Sequence, residues 1–443
     1  MKKIIVTIIL SLLCKYAKTQ TVFAMGSGVN YEIHCLFADT SSNKIYASGT
    51  FTQMDGKNIN YIAVWDGNQW DSIGITFGIG IVNSISSYKG EIYAGAAGYL
   101  DTSGQWIYDC LTKWDGTKWV SACKGGSCKT LLNDFVENMY VSNNELYVTG
   151  RFDTIGGVQA DMIAKFDGVN WFAFPPLDSF SLQNGSIIKS CIMYKGELYV
   201  AGGFTSPYNS KISKIARFDG VNWNPVGNGF SNWAGINDLV VYKNELYAAG
   251  SFDKAHGDPG DNIAKWDGTN WSEVGTKFIP GTQQIGEYNN KLYCREVINN
   301  YVYLCEWDGT NWTTGLGFNY WGDVHNFTTL NNDLYISGFF SSVGGKVAHD
   351  VARLSWSTAI EESQLTNLLQ ILPSVSDGLF TINALTKSKT TVSIYNIIDE
   401  QIFAFDLIGE SKSLDMSSHP TGVYIVKAQT EKNIFSQKII VAH

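Results

Sequence analysis

Leu246-Tyr247-Ala248-Ala249-Gly250, followed at a distance by Ile263-Ala264-Lys265-Trp266-Asp267-Gly268-Thr269-Asn270-Trp271, is the stretch that decides the fold. Just before it, Leu239-Val240-Val241-Tyr242 is a short apolar run ended by the turn residues Lys243-Asn244. The chain therefore goes out along 239–242, returns along 246–250 and crosses a polar loop, Ser251 to Asp261. It goes out again at 263–266. Asp267-Gly268 tolerates the backbone angles of a tight hairpin, so Trp271 to Gly275 comes back as a fourth strand.

The same unit recurs along the chain. A [Leu/Ile]-Tyr step ends at Tyr46, Tyr93, Tyr147, Tyr199, Tyr247, Tyr293 and Tyr335, with spacings of 47, 54, 52, 48, 46 and 42 residues. An aromatic-Asp-Gly triplet follows each of the first six, with its Gly at 67, 116, 168, 220, 268 and 309, and a Trp stands three residues beyond each Gly. Four antiparallel strands per 40–50 residues describe a propeller blade, and no long helical period competes with that reading. The seventh unit offers Val351-Ala352-Arg353-Leu354 but no Asp-Gly turn and no fourth strand. Met25-Gly26-Ser27-Gly28 resembles the fourth-strand ending Val226-Gly227-Asn228-Gly229, so the N-terminus is expected to complete the last blade. The expectation is an all-β fold: a seven-bladed β-propeller closed by an N-terminal strand, then a small Ig-like β-sandwich.

Composition agrees with strands and an exterior address. Aromatic residues make up 14% and charged residues 16% of the 443 residues, with 44 glycines. A net charge of −9 leaves no basic field for a nucleic-acid backbone, so nucleic-acid binding is disfavoured. Met1-Lys2-Lys3 followed by the apolar run Ile4–Leu13 reads as a signal peptide over 1–19. A lipoprotein reading would acylate Cys14, although Leu13 is a poor residue to precede it. No later segment is expected to cross a membrane as a helix. The propeller is expected over 20–356, a polar linker over 357–369 and a C-terminal domain over 370–443.

Two cysteine pairs are symmetric about turns: Cys110 with Cys123, and Cys294 with Cys305. Residues equidistant from a hairpin turn face each other, so each pair reads either as a disulfide suited to an exported protein or as two buried thiols.

The propeller repeat resembles the kelch-like propellers of secreted bacterial proteins and the repeats of fungal cortical polarity-marker proteins. That resemblance implies the fold and little about function, because propellers host many activities. The last 74 residues resemble the C-terminal sorting domain of type IX secretion in Bacteroidetes. The matching residues are Pro373 and Gly378 before Phe380, Ile394-Tyr395-Asn396 with Glu400, Asp415-Met416-Ser417, Pro420-Thr421-Gly422-Val423-Tyr424 and Lys438 to Val441. The family's Pro-Asn-Pro is here Pro373-Ser374-Val375, and its Gly before Glu is Asp399. The resemblance implies export, a position in the medium or on the outer surface, and the type IX machinery as a partner.

Motifs for local chemistry are missing. The chain has no Gly-x-Ser-x-Gly elbow, no His-Glu-x-x-His, and no Gly-rich loop followed by Lys-Ser/Thr, so no catalytic residue, metal or cofactor is assigned. Asp253, Asp258 and Asp261 share a loop, but not with the EF-hand spacing. The loop acids Asp55, Asp153 and Asp350 could converge across blades. Ten of the fourteen Trp fall at the two repeat positions, which leaves Trp106, Trp233, Trp321 and Trp356. Trp233 and Trp321 end the parallel segments Gly229-Phe230-Ser231-Asn232-Trp233 and Gly317-Phe318-Asn319-Tyr320-Trp321. Trp106, Trp233, Tyr320 and Trp321 all fall on loop types that emerge on one propeller face, where they could stack on sugars or anchor a protein; extra packing between blades is the competing reading. The expected function is an exported glycan- or protein-binding module, the alternatives being a polysaccharide-degrading glycosidase or lyase and a structural adhesin.

Overall fold

The computed structural model describes residues 19–74, 81–96, 99–100, 106–107, 110–123, 135–177, 186–206, 209–275, 284–320, 322–357, 369–373, 375–384, 389–396, 400–430 and 434–442. The expected signal peptide up to residue 18, residues 358–368 of the expected linker, and Trp321 lie outside these. The chain forms two compact units, Gln20–Ser355 and a second that begins at Trp356. Among the described residues no helix is long and apolar enough to cross a membrane.

The first unit is a β-propeller. Among the described residues it holds seven four-stranded antiparallel sheets, numbered here by the order of their innermost strands. Those strands are Ile33–Asp39, Val82–Tyr88, Phe135–Ser142, Ile188–Tyr194, Gly235–Tyr242, Ile285–Tyr288 and Asp323–Leu330. Each touches the next, and the seventh touches the first. Sheet 7 takes its outermost strand from the other end of the chain: Thr19–Ala24 is hydrogen-bonded to Val351–Ser357. That pairing covers an edge that would otherwise stand open.

Local chemistry explains the repeat. In each Asp-Gly turn the Asp carboxylate accepts two backbone N–H groups; Asp267 Oδ1 takes Thr269 and Asn270 N–H, both at 2.7 Å. The inner turns use paired left-handed residues such as Lys243-Asn244 and Asn331-Asn332, which suits a two-residue hairpin. The Trp after each turn packs on its aromatic partner, and five of the six tie their sheet to the preceding one, Trp171 being the exception. Trp70 is fully buried and donates from Nε1 to Met25 O at 2.7 Å. Trp119, Trp223, Trp271 and Trp312 make the same bond to Ile73, Pro175, Val226 and Val274. These tryptophans serve packing between blades.

The two cysteine pairs require correction as disulfides. Cys123 is disulfide-bonded, but Cys110 is a buried thiol, so the two are not bonded to each other. The last bond of the ladder between the flanking strands runs from Ala122 N–H to Leu111 O at 3.0 Å, and Cys123 N–H then donates to Ser121 Oγ at 3.1 Å instead of pairing across the strands. Cys294 and Cys305 do face each other in register, yet both are buried thiols in an apolar cluster. Register brings two sulfurs side by side without imposing the near-perpendicular dihedral that a disulfide needs, and buried thiols pack as small apolar groups.

The second unit is two sheets around one apolar core. One has the order Leu369–Leu372, Leu379–Ala384, Ser411–Asp415. The other runs Val375–Ser376, Ile434–Val441, Gly422–Gln429, Thr390–Tyr395, Gln401–Leu407. Ile371, Phe380, Ile382, Val392, Ile394, Tyr424, Val426 and Ile439 alternate inward to form the core.

Candidate functional site: the central pocket

The innermost strands begin with an irregularity. In sheets 1–5 and 7 the pairing with the second strand skips one residue near its start, a β-bulge. The skipped residues are His34, Asn83, Glu137, Lys189, Asn237 and His325, and all six line one cavity of about 460 Å³. The residue before each skipped one is apolar and buried: Ile33, Val82, Val136, Ile188, Ile236 and Val324. Across from it stands Gly49, Gly150, Gly202, Gly250 or Gly338, with Ala96 in sheet 2. A Cβ on any of those five glycines would lie 2.0–2.2 Å from the carbonyl oxygen of the bulged strand, so in those five sheets glycine allows the close approach, whereas sheet 2 makes its bulge opposite Ala96. The Gly of the Leu-Tyr-x-x-Gly repeat thus positions a variable side chain in the centre of the ring.

Sheet 6 departs from the pattern in its second strand. Its pairing with the innermost strand is described from Ile285–Cys294 to Tyr288–Lys291, and the glycine position is Glu296. Glu296 is buried and accepts a hydrogen bond from Thr314 Oγ1 at 2.8 Å. Its neighbour Arg295, at a position that is Ala249 in sheet 5, joins the cavity wall from the second strand.

The residues after the bulges hold neighbouring sheets together. Leu239 N–H donates to Ser190 Oγ at 3.2 Å, and Ile285 N–H donates to Asp238 Oδ2 at 3.2 Å. Asp238 Oδ1 also accepts from Leu239 N–H at 2.8 Å and Ser190 Oγ at 3.2 Å. Burial nevertheless pushes the Asp238 carboxyl up to about 6, against those hydrogen bonds. Cys35 is alike: burial pushes its thiol up to about 11, against a hydrogen bond from the Ile85 backbone.

The bulge residues form short networks around the rim. His34 Nδ1 pairs with Asn83 Oδ1 at 3.0 Å, and Lys189 Nζ donates to Asn237 Oδ1 at 2.9 Å. Asp323 lies 3.0 Å from Arg295 Nε and 3.4 Å from His325 Nε2. Burial acts to raise the Asp323 carboxyl, but the hydrogen bond with His325 and the charge of Arg295 hold it below the usual range. Glu137 differs: its carboxyl has no hydrogen-bond partner among the described residues. Burial raises it, and the charges of Lys189 and His34 offset that only in part.

Of the expected aromatic site residues, the side chains of Trp233 and Tyr320 are described, and both sit apart from this cavity's lining. Phe230 is buried against Phe252 and Trp271, and Phe318 against Phe340. With the Phe turned in, each segment turns its later aromatic out: Trp233 is 84% exposed and Tyr320 47%, the latter edge-on to Tyr301 at 5.3 Å. Trp106 belongs to the strand Trp106–Ile107, whose side chains lie outside the described set, as does Trp321. Tyr31 and Phe339, unassigned from sequence, are 65% and 64% exposed beside the starts of sheets 1 and 7. Antiparallel topology brings the loops entering each innermost strand and those linking second to third strands to one face, so these aromatics share the face onto which the bulges open.

The loop acids have local work. Asp55 accepts from Ser27 N–H at 2.9 Å and Asp350 from Val29 N–H at 3.0 Å, so both pin the N-terminal segment to the loops above it. Neither they nor Asp153 line the cavity. Asp258 holds Ser231 N–H at 2.7 Å, Asp253 caps the turn at His256, and Asp261 accepts from Lys254 N–H.

In the second unit the motif residues meet. Glu400 N–H donates to Asn396 Oδ1 at 2.9 Å, Tyr424 Oη donates to Pro420 O at 2.8 Å, and these residues with His419 wall a cavity of about 390 Å³. Gly378 leaves no room for a Cβ, which would lie 2.4 Å from Ser417 N.

Comparison with known proteins identifies this unit. Residues 370–442 match the secretion system C-terminal sorting domain. The sorting domain marks the chain for type IX export and for a place in the medium or on the outer cell surface, and makes the secretion machinery its partner. No curated protein matches the chain significantly. Among solved structures it is similar to PorZ, an essential surface component of the type IX secretion system of Porphyromonas gingivalis. Identity is 14% over 95% of this chain, with a TM-score of 0.51. The chain spans 61% of that protein's length, and the likeness extends to the fold alone. The β-propeller domain of the Trilobed protease from Pyrococcus furiosus matches at 10% identity over 75% of this chain and 94% of that one, with a TM-score of 0.41.

Proposed function

We propose that the chain is a seven-bladed, kelch-like propeller that works outside the cell as a glycan- or protein-binding module, its Ig-like C-terminal sandwich directing export after an N-terminal signal peptide is removed. The observation that carries this reading is the convergence of six bulge side chains on one polar cavity. A glycan is the better fit of the two ligands. Hydroxyl-rich rings match a wall of amides, imidazoles and charged groups, and the exposed Trp233 and Tyr320 on the same face offer stacking surfaces. The test is a glycan and polysaccharide screen on the mature full-length protein, scored for retention and for product release. Retention that falls with Trp233→Ala or Asn83→Ala supports binding; a screen without retention overturns it. Deleting 370–443 is expected to keep the protein out of the medium and off the surface.

A second reading, a polysaccharide hydrolase or lyase, is favoured by Glu137. A carboxyl raised by burial, beside a lysine and a histidine in a cavity, has the character of a general acid or base. Product release abolished by Glu137→Gln would select it over binding alone.

A further inference from the structure

The charges around the cavity are unevenly committed, and that unevenness names a ligand class. Of its three acids, Asp238 spends both oxygens on Ser190 and the backbone of sheets 5 and 6. Asp323 is engaged by Arg295, by His325 and by Val324 N–H at 2.7 Å. Among the described lining residues, only Glu137 is left with a carboxyl open to a ligand. The strong cations are engaged differently. Lys189 Nζ meets a neutral amide oxygen, that of Asn237, and no carboxylate lies within ion-pair distance of it among the described residues. Arg295 Nε lies 3.0 Å from Asp323 as an ion pair without hydrogen-bond geometry, and its two terminal nitrogens have no hydrogen-bond partner among the described residues.

That terminal edge is the one a guanidinium offers to a planar or tetrahedral oxyanion through two parallel N–H bonds. Lys189 of sheet 4 and Arg295 of sheet 6 stand on either side of sheet 5, an arc of positive charge within a chain of net charge −9. Global attraction therefore does not account for an anion site there; local geometry does.

Building on the glycan reading above, we infer that the central pocket takes an acidic saccharide, with its carboxylate or sulfate on Arg295 and Lys189 and its hydroxyls on Glu137. The arc alone would accept any small anion. Glu137 repels a bare one and accepts hydrogen bonds from a hydroxylated one, so the pair of features selects a sugar acid or a sulfated sugar.

The test titrates mature full-length protein with three oligosaccharides of equal length: oligogalacturonate, a sulfated galactan oligomer and a neutral galactan oligomer. One or both acidic probes are expected to bind at least tenfold more tightly than the neutral one, and which of them does so tells carboxylate from sulfate. Arg295→Gln and Lys189→Met are each expected to weaken acidic binding by roughly tenfold, the worth of one charge-assisted hydrogen bond, and to weaken neutral binding by less. Arg295→Lys, with a melting curve on each variant, separates lost recognition from lost folding. Equal binding of acidic and neutral probes, or acidic binding that survives both Arg295→Gln and Lys189→Met in folded protein, overturns the inference and leaves the glycan reading standing. Failure of all three probes together with an empty glycan screen overturns both.

Discussion

Sheets 5 and 6 are neighbours built from the same repeat, and their second strands meet the centre of the ring in different ways. In sheet 5, Gly250 lets the Gly235 carbonyl approach, the strand bulges, and Asn237 is pushed into the cavity. In sheet 6 the glycine position holds the buried Glu296, and Arg295 from the second strand joins Gln284 in the cavity lining. One architecture thus delivers ligand-facing side chains from two strands. The first route frees the bulge position to be any residue; the second adds one long cationic side chain. Variation within a repeat protein is cheapest where the backbone, and not the side chain, carries the structural duty.

The contrast can be broken most forcefully at the glycine. Gly250→Val would drive Cβ into the Gly235 carbonyl, so a loss of about 3 kcal/mol is expected in urea unfolding. Ala96→Gly, which installs the common residue in sheet 2, should change stability by less than about 1 kcal/mol.

A second break lies in the carboxylate between the two sheets. Because burial raises the Asp238 carboxyl to about 6, the folded state favours its neutral form. Its contribution is complete below the unfolded value near 4 and is lost as pH rises through 6, a swing of about 3 kcal/mol. Unfolding at pH 4.5 and 7.5 measures it. Asp238→Asn should flatten the difference between the two pH values, while costing about 1–3 kcal/mol throughout because an amide N–H₂ then faces Ile285 N–H.

Smaller effects sharpen the comparison. Glu296→Gly restores the common residue to sheet 6 but removes the bond from Thr314, and a loss of about 1–2 kcal/mol in thermal unfolding is expected. Tyr242→Phe removes the bond from Tyr242 Oη to Asn290 O at 2.7 Å, which ties sheet 5 to sheet 6 at the opposite end of the inner strands; about 1 kcal/mol is the expected cost.

The fold was legible because its signals are local. Asp267 and Gly268 build their turn from their own side chain and backbone, and Trp271 lies across from Trp266 in the strand pairing that turn sets. The strand that completes sheet 7 was legible for a similar reason: the ending Met25-Gly26-Ser27-Gly28 repeats one seen elsewhere, though its partner Val351–Ser357 lies more than 300 residues away. The candidate pocket was not legible. Its six bulge positions carry His, Asn, Glu, Lys, Asn and His, with no residue type common to all, and so form no motif. The available signal lay beside them, in a buried apolar residue just before each and in the glycine across the pair. Sequence reasoning went instead to the unplaced aromatics, of which Trp233 and Tyr320 are exposed on the same face but outside the cavity lining.

The cysteines mark the same boundary. Symmetry about Asn299-Asn300 correctly put Cys294 opposite Cys305, since register follows from a turn and a count. Symmetry about Asp115-Gly116 failed for Cys110 and Cys123, because the inter-strand bonds end at Ala122 and Cys123 N–H turns to Ser121 Oγ. Sequence by itself determined the repeating four-strand unit, its turns and the sorting tail, each written in residues that act on their immediate neighbours. Tertiary structure alone decided which side chains face the centre, how Arg295 and Glu137 come to share a cavity, and which thiols stay reduced. Those outcomes depend on strand registers and close carbonyl approaches between segments distant in the chain, and no single segment carries that information.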